Sequence, residues 1–429
     1  MASRRALRRD PVTDATIEFD VHGIAAGGDG VGRADGLVIF APRTAPGDRV
    51  RARLERGKRF ARATGVEVLT PSTDRVTPDC PHYDRDRCGG CQLQHLSTDA
   101  QRRAKAGMIR DAFERIARRP IALPEVRHGR DAWRYRTKLT LALRRRGTAW
   151  TAGLHRYDAP DEIFPLDDCL ITDTRVMDAW RAVLEAGHLL PEAPALRAAV
   201  RLIGDGAALV IEGGHEWRTA EALLGAVPAL VEIWWVPHSA GSRGGRRLVA
   251  ERGAAQEHGA SFAQVNADVA ASMRTHVLAL VRSAAPARVV DAYAGVGDTA
   301  EPIAREGAHV VAIELDRDAC RVAAARLPAG SRAIADTVER ALPGALPADL
   351  VILNPPRAGA GADVTAAIER AVPRPRTIVY VSCDPATLAR DVGRLPSYRV
   401  ASVVGFDMFP QTAHVETVCE LRLEEGAAA

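Results

Sequence analysis

Short apolar runs between polar turns dominate the first part of the chain. They predict strands at residues 16–21, 37–40, 49–54 and 64–69. β-Branched and apolar residues recur there between Gly, Pro and Asp, as in small β modules. The glycine-rich stretch 23–36 is predicted as a turn system, since it lacks the Lys-Ser/Thr pair and the following helix of a phosphate-binding loop. This spacing predicts an OB-like barrel, and arginines on its last strands suit a nucleic-acid-binding face.

A helical period replaces the alternation at residues 97–118, with Ser97 as the predicted N-cap. A mixed region rich in strands follows, with strands predicted at 138–144, 148–154, 198–203, 207–212 and 230–236. The segment DAWRYR at 131–136 interleaves aromatics with arginines, which suits either stacking on bases or a surface strand. The loop 239–247 is expected to be flexible.

From residue 261 the pattern becomes a regular exchange of buried strands and amphipathic helices. Strands are predicted at 288–292, 309–313, 349–353, 377–381, 400–404 and 415–423, and helices at 299–306, 318–326 and 386–394. This order predicts a doubly wound, Rossmann-like α/β domain. The predicted domains are residues 10–72, 73–260 and 261–429, so the chain is a multidomain α/β protein. Helix 97–118 is expected to pack on the C-terminal domain.

Charge changes this picture more than composition does. The 429 residues are 47% hydrophobic and 26% charged, and no apolar run is long enough to span a membrane. The start, MASRRALRRDP, has no apolar core behind its charges, so we expect a cytoplasmic protein. The net charge is only +4, but residues 97–146 carry 15 Lys and Arg against 5 Asp and Glu. Nearly all of this charge is arginine, which suits RNA or a solvated face.

Close cysteine spacing in the N-terminal half indicates a metal centre. Cys80, Cys88 and Cys91 follow a C-x7-C-x2-C pattern, with two glycines between the last pair, and Cys169 is the other cysteine of this half. In a cytosolic protein such spacing favours metal over disulfides. Four thiolates suit zinc or a [4Fe–4S] cluster, and the spacing does not choose between them.

One cysteine lies where an open α/β sheet binds its ligands. Cys383 follows the predicted strand 377–381 and precedes a helix with Asp384 as N-cap and Pro385 in the first turn. The carboxyl edge of the sheet is the ligand edge, and a helix N-terminus lowers a thiol's pKa. The position therefore predicts a nucleophile, with a small buried hydrophobe as the alternative.

A nucleoside cofactor without phosphates fits the first strands of this domain. The segment DAYAGVG at 291–297 lets the backbone pass close to a ligand, and Glu314 ends the next strand, as expected for a carboxylate that holds ribose hydroxyls. Asp336 follows the strand after that and suits an adenine amino group. No pyrophosphate site is indicated, so S-adenosylmethionine fits better than NAD.

These segments together resemble the RNA uracil-C5 methyltransferases. The motifs are YAGVG, Glu314, NPPR-AG from Asn354, SCDPATLARD around Cys383, and FPQTAHVET. The N-terminal barrel resembles a TRAM domain, and the CGGC segment resembles the iron–sulfur site of the 23S rRNA branch. The resemblance implies a Rossmann-like class I methyltransferase domain, a [4Fe–4S] cluster rather than zinc, S-adenosylmethionine as methyl donor, and 23S rRNA as substrate.

Residue roles follow from the same resemblance. It implies that Cys383 is the nucleophile and Glu416 the general base. It also implies cofactor contacts at Gln264, Tyr293, Asp298, Glu314, Asp336 and Asn354, and cluster ligands at Cys80, Cys88, Cys91 and Cys169. These residue types suit the chemistry, because a thiolate must add to uracil C6 before C5 can take a methyl group, and a base must then remove the C5 proton.

Two departures leave other functions open. Asn354 stands where the family usually has aspartate, and SCDP replaces the commoner SCNP, which adds the Asp384 carboxylate beside the thiol. A tRNA uracil-C5 methyltransferase is the nearest alternative. An amino-group methyltransferase would remain active without Cys383, and an RNA-binding assembly factor would bind RNA without methylating it.

Overall fold

A computed structural model describes residues 16–34, 36–238, 245–253, 264–424 and 426. These residues form a closed barrel and two open sheets of seven and eight strands. Within them, no helix combines the length and apolar character needed to cross a membrane. The N-terminal MASRRALRRDP segment and most of the loop 239–247 lie outside the described residues.

The five-stranded barrel confirms the predicted OB-like module. Its strands are β1 (Thr16–Ile24), β2 (Gly30–Ala34), β3 (Leu37–Ala41), β4 (Arg49–Arg56) and β5 (Phe60–Thr70), in the order β1-β2-β3-β5-β4. The prediction of turns throughout 23–36 was wrong, because β2 lies within that stretch. A Cβ at Gly32 would lie 2.3 Å from a ring carbon of Phe19, so glycine allows the buried ring to pack inside the barrel.

Helix α2 connects the cysteine-rich segment to the C-terminal sheet. The first helix is α1 (Pro81–Asp84). Helix α2 (Thr98–Ala112) has Ser97 as its N-cap, as predicted, and the Ser97 side chain accepts a hydrogen bond from the N–H of Ala100. A π-helical turn (Phe113–Ala117) continues it. Ile109 and Phe113 are fully buried in the same core as the C-terminal sheet.

A second sheet forms the middle of the molecule. It consists of β7 (Lys138–Arg146), β8 (Ala149–His155), β9 (Ile163–Pro165), β10 (Ala195–Ile203), β11 (Gly206–Glu212), β12 (Leu230–Val236) and β13 (Arg247–Glu251). The helices of this region are α3 (Thr174–Glu185) and α4 (Ala220–Ala226), with a 3₁₀ turn at Gly187–Leu189. Leu141 of β7 and Trp180 of α3 share the buried core.

The segment at 131–136 is not a surface strand. Trp133 and Tyr135 pack against the core of the middle sheet, and the Tyr135 hydroxyl donates to the carbonyl of Pro410. Arg134 adopts a φ of 55° and binds Asp168 through both terminal nitrogens. The aromatic side chains of residues 131–136 therefore pack between the middle sheet and the segment that contains Pro410.

The third sheet confirms the predicted doubly wound domain. Its strands are β6 (Val126–Arg127), β14 (Arg288–Ala292), β15 (His309–Glu314), β16 (Arg332–Ala335), β17 (Leu350–Leu353), β18 (Thr377–Ser382), β19 (Tyr398–Phe406) and β20 (Glu416–Leu423). The order is β16-β15-β14-β17-β18-β20-β19-β6. The helices are α5 (Ala267–Ala284), α6 (Ala300–Arg305), α7 (Arg317–Arg326), α8 (Val338–Ala345), α9 (Ala362–Arg370) and α10 (Pro385–Val392).

One antiparallel pairing determines where the candidate catalytic residues meet. Strands β14 to β18 are parallel, whereas β20 runs antiparallel to β18. Ser382, the last residue of β18, pairs with Thr417. Cys383 follows Ser382 directly and Glu416 precedes Thr417 directly, so both residues lie at the same edge of the sheet.

Candidate active site

Cys383 lies half-buried at the start of the turn into α10. Asp384 caps this helix, and its Oδ1 accepts the N–H groups of Ala386 and Thr387 at 2.8 and 3.1 Å. The predicted lowering of the thiol pKa was wrong. Burial raises the pKa of Cys383, and the charges of Glu416 and Asp384 raise it further. The helix N–H groups that would favour a thiolate instead bind the Asp384 carboxylate.

Glu416 lies buried at the start of β20, with 5% of its surface exposed. Burial raises the pKa of its carboxyl group to about 7, and the cation of Arg357 opposes that rise. Its charge acts on Cys383, in agreement with the pairing of Ser382 and Thr417. A carboxyl group with a pKa near 7 is suited to take and return a proton at neutral pH.

Arg357 is a site residue that sequence reasoning did not assign. It is exposed in the loop after β17, and its cation lowers the pKa values of both Cys383 and Glu416. Burial lowers the pKa of His414, and the Arg357 cation lowers it further. The available sequence signal was the NPPR motif, which contains both Asn354 and this arginine.

A small cavity of about 60 Å³ lies at the carboxyl edge of β14, β17 and β18. Its lining includes Tyr293, Asn354, Val381 and Arg274. Asp291 also lines it, is fully buried, and its Oδ2 has no hydrogen-bond partner within the described chain. Burial raises the pKa of Asp291 to about 7, and the charges of Glu314 and Asp298 add to that rise. An orphaned buried carboxyl oxygen in a cavity wall indicates a place for a donor group.

The loop between β14 and α6 curls tightly beside this cavity. Tyr293 and Gly295 have φ angles of 65° and 56°, and a Cβ at Gly295 would meet nothing within 4 Å. Glu314 accepts the N–H of Gly295 at 2.8 Å through one carboxyl oxygen and the N–H of Asp316 at 2.8 Å through the other. The acidic end of β15 therefore lies against the glycine loop, as the sequence predicts for a nucleoside site.

The remaining predicted cofactor residues have mixed surroundings. Asp298 forms an ion pair with Arg326 at 2.8 Å. Asp336 directly follows β16 and accepts the N–H of Thr337. Gln264 is half-buried two residues before Asn266, the N-cap of α5, whereas Phe262 and Ala263 of its motif lie outside the described residues.

The four N-terminal cysteines lie within electrostatic range of one another. Burial raises the pKa of Cys88 to about 11, the N–H of Gly90 opposes this, and the charges of Cys169 and Cys80 add to the rise. Burial also raises the pKa of Cys91, and the other three thiols add to it. All four are free thiols. Nevertheless, no three His, Cys, Asp or Glu side chains of the described residues are grouped so that they could hold a metal ion.

The fold and this edge of the sheet define a methyltransferase with an attached five-stranded barrel. The tRNA (uracil-54, C5)-methyltransferase of Pyrococcus abyssi, solved with S-adenosyl-L-homocysteine, superposes with a TM-score of 0.71 at 23% identity. The alignment covers 94% of this chain and all of that one. It shows that the two chains share the whole architecture.

Sequence comparisons identify the family. The family model described as tRNA (Uracil-5-)-methyltransferase matches residues 345–424, which contain Cys383 and Glu416. The 23S rRNA (uracil(1939)-C(5))-methyltransferase RlmD of Chromohalobacter salexigens is 33% identical over 96% of this chain and 90% of its own length. An uncharacterized RNA methyltransferase of Thermosynechococcus vestitus is also 33% identical, over 95% of this chain and 98% of its own length. The chain belongs to the RNA uracil-C5 methyltransferase family.

Proposed function

We propose that the protein methylates C5 of a uridine in 23S rRNA, using S-adenosylmethionine and a covalent adduct between Cys383 and uracil C6. The pairing of Ser382 with Thr417 is the observation that carries this proposal, because it brings a thiol and a carboxyl group to one edge of the sheet. The relatives named 23S rRNA methyltransferases favour that RNA over tRNA.

The protein's own groups account for the proton and electron movements. The half-buried Cys383 thiol loses its proton to solvent water, its sulfur bonds to C6, and the electrons of the C5–C6 double bond move to form an enolate. S-adenosylmethionine, when bound, supplies the methyl group that C5 then takes. Glu416 removes the proton from C5, the double bond re-forms, and the C6–sulfur bond breaks to release 5-methyluridine and the thiolate. Arg357 stabilises the anionic forms of the thiol and the base.

The small cavity beside the glycine loop marks the edge of the sheet where the nucleoside part of the cofactor would bind. Glu314 would accept ribose hydroxyls, and Tyr293 lines the wall next to the turn. Asp291 offers an orphaned carboxyl oxygen to a donor. Gln264, Asp298, Asp336 and Asn354 are proposed contacts from the family match; Asp298 would first have to share Arg326.

A [4Fe–4S] cluster is proposed for the four cysteines because their CGGC segment resembles the iron–sulfur site of the 23S rRNA branch of the family. Burial raises the pKa values of Cys88 and Cys91, so a bound metal centre would be needed to hold them as thiolates. Cys80, Cys88, Cys91 and Cys169 would hold it, and the Gly90 N–H already points at Cys88 Sγ at 3.4 Å.

The experiment combines product mapping with trapping of the adduct. The protein is incubated with methyl-labelled S-adenosylmethionine and either unmodified 23S rRNA or unmodified tRNA, and 5-methyluridine is mapped. We expect product in one uridine of the rRNA. Product only in tRNA would transfer the assignment to the alternative substrate, and RNA binding without product would indicate an assembly factor.

The nucleophile is tested with RNA that contains 5-fluorouridine. Fluorine at C5 cannot be removed as a proton, so the adduct should persist on a denaturing gel. Cys383→Ala should abolish the adduct, whereas Cys419→Ala, a buried cysteine of β20, should retain it. Methylation that survives Cys383→Ala would contradict the proposal.

A further inference from the structure

The segment before the proposed base has no regular secondary structure of its own. Residues 407–415 connect β19 to β20, and Glu416 follows immediately. Within the segment, Gln411 has a φ of 71°, in the left-handed region that non-glycine residues rarely adopt. Such a backbone persists only where its surroundings hold it. The contacts made by residues 407–415 therefore decide where Glu416 begins its strand.

Helix α2 holds this segment through two buried polar side chains. Gln101, 1% exposed, accepts the N–H of Gln411 through Oε1 and donates from Nε2 to the Gln411 side-chain oxygen, both at 2.9 Å. Lys105, fully buried, donates to Asp407 Oδ1 at 2.5 Å and to the carbonyl of Phe409 at 3.0 Å. Gln101 and Lys105 lie one helical turn apart, and together they hold residues 407–411, the first half of the segment.

The cysteine-rich segment holds the other side of the same bend. Leu93 donates its N–H to the carbonyl of Gln411 at 2.9 Å, and Gln92 Oε1 accepts the N–H of Ala413 at 3.3 Å. Gln92 directly follows Cys91. The barrel also reaches this point, because a Cβ at Gly28 would lie 2.5 Å from the Gln92 Cβ and 3.2 Å from that of Ala413.

These contacts are more specific than packing requires. Apolar side chains would fill the same space without leaving a buried amide and a buried ammonium dependent on their partners. Buried polar networks that are satisfied select one conformation of the elements they join. Here they join residues about three hundred positions apart in the chain, and Glu416 is the next residue after the segment.

We propose that Gln101, Lys105 and Gln92 are positioning residues that hold residues 407–415 in the conformation that places Glu416 beside the Cys383 adduct. This inference rests on the proposed function, since it assigns these residues to the proton-removal step. It predicts that their loss slows release of the methylated product and leaves addition of the thiol unaffected.

The test separates the two steps in the full-length protein. Gln101→Met removes the amide contacts at similar volume, and Gln92→Met removes a half-buried contact more mildly. With ordinary RNA and S-adenosylmethionine, both variants should accumulate a covalent protein–RNA adduct. Release of 5-methyluridine should slow about 100-fold in Gln101→Met, as expected for a base displaced by about 1 Å. Adduct formation with 5-fluorouridine RNA should keep the wild-type rate.

Two further variants identify the reason for any failure. Glu114→Gln, an exposed residue of the π-helical turn that continues α2, should behave as wild type. Glu416→Gln should accumulate adduct; if it accumulates none, the base assignment and the positioning inference both fall. If Glu416→Gln accumulates adduct and neither methionine variant does, only the positioning inference is wrong. Equal slowing of addition and release in both methionine variants also overturns it, because a general structural defect would act in that way.

Discussion

The Tyr380 hydroxyl donates a hydrogen bond of 2.7 Å to Asp391 Oδ2 in the core of the C-terminal domain. The same oxygen accepts the N–H of Ala360 at 2.8 Å, and Arg390 and Arg394 bind Asp391 Oδ1. Asp391 therefore connects the helix after Cys383 to the loop after Asn354. The helix adjoins Cys383 and the loop adjoins Asn354, so one buried carboxylate holds these two parts of the proposed site together.

Tyr380→Phe should destabilise the protein without changing its charge. It removes one donor from a fully buried carboxylate, which costs about 1–3 kcal/mol. The measurement is the free energy of unfolding in urea. Tyr398→Phe is the matched control, because the Tyr398 hydroxyl is buried without a hydrogen-bond partner in the described chain, so its removal should cost little. Equal losses in the two variants would contradict this account.

Product release should depend on pH through Glu416. Burial raises the pKa of its carboxyl group to about 7, and only the ionised form can take the C5 proton. The rate of release in a single turnover should therefore fall about tenfold for each pH unit below that value. Glu416→Gln should remove this dependence and slow release about 10²- to 10⁴-fold. If the wild-type release rate does not change between about pH 5 and about pH 8, Glu416 is not the base.

Removing the Arg357 cation should make the nucleophile harder to ionise. Burial raises the pKa of Cys383 and Arg357 opposes that rise, so Arg357→Gln should move the midpoint of thiol ionisation to higher pH. The measurement is the rate of Cys383 alkylation against pH in the absence of RNA. Arg357→Lys should keep the midpoint near that of the wild type. A midpoint that Arg357→Gln leaves in place would show that the arginine does not stabilise the thiolate.

Asp291 should make the ligand-free protein less stable as the pH rises. Its pKa is raised in the folded state from 3.8 to about 7, so the folded state binds its proton more tightly than the unfolded state. Its contribution to stability is present below pH 3.8 and is lost as the pH rises to about 7. That difference in pKa corresponds to about 4 kcal/mol. Asp291→Asn should remove this loss, which is measured as the difference in the free energy of unfolding between about pH 3.5 and about pH 8, on either side of the titration.

Iron content tests the cysteine group separately from activity. Protein purified without oxygen should carry about four irons and four sulfides per chain. Cys88→Ser should lower both together with the visible absorbance, whereas Cys320→Ser, a buried cysteine of α7, should leave them unchanged. Zinc in place of iron in the wild type would contradict the assignment.

Local pattern predicted the strands that carry the site better than the contacts that hold it. The β-branched run 377–381 and the cap at Asp384 were readable because strand burial and helix capping depend on neighbouring residues. Strand β2 was missed because its glycines, of which Gly32 accommodates Phe19 across the barrel, are locally typical of a turn. The sequence indicated only the part of the raised Cys383 pKa that comes from Asp384, because the rest depends on burial and on Glu416 from another strand.

Long-range polar contacts have no local signal at all. Gln101 appeared as one polar position of an amphipathic helix, and its partner Gln411 lies 310 residues further on. The aromatic residues at 131–136 left base stacking and a surface strand open. Neither alternative included the packing between regions that the fold shows, in which the Tyr135 hydroxyl donates to the carbonyl of Pro410.

The near-contact of Gly28 with Gln92 and Ala413 constrains how this enzyme could be shortened or recombined. A barrel exchanged for that of another protein would need a residue without a side chain at the same turn, or it would push on the bend that leads to Glu416. Removal of the barrel, up to residue 72, would expose residues 407–415 to solvent. The barrel is thus a structural support of the segment that leads to the proposed base, and chimeras that change substrate choice should be cut elsewhere.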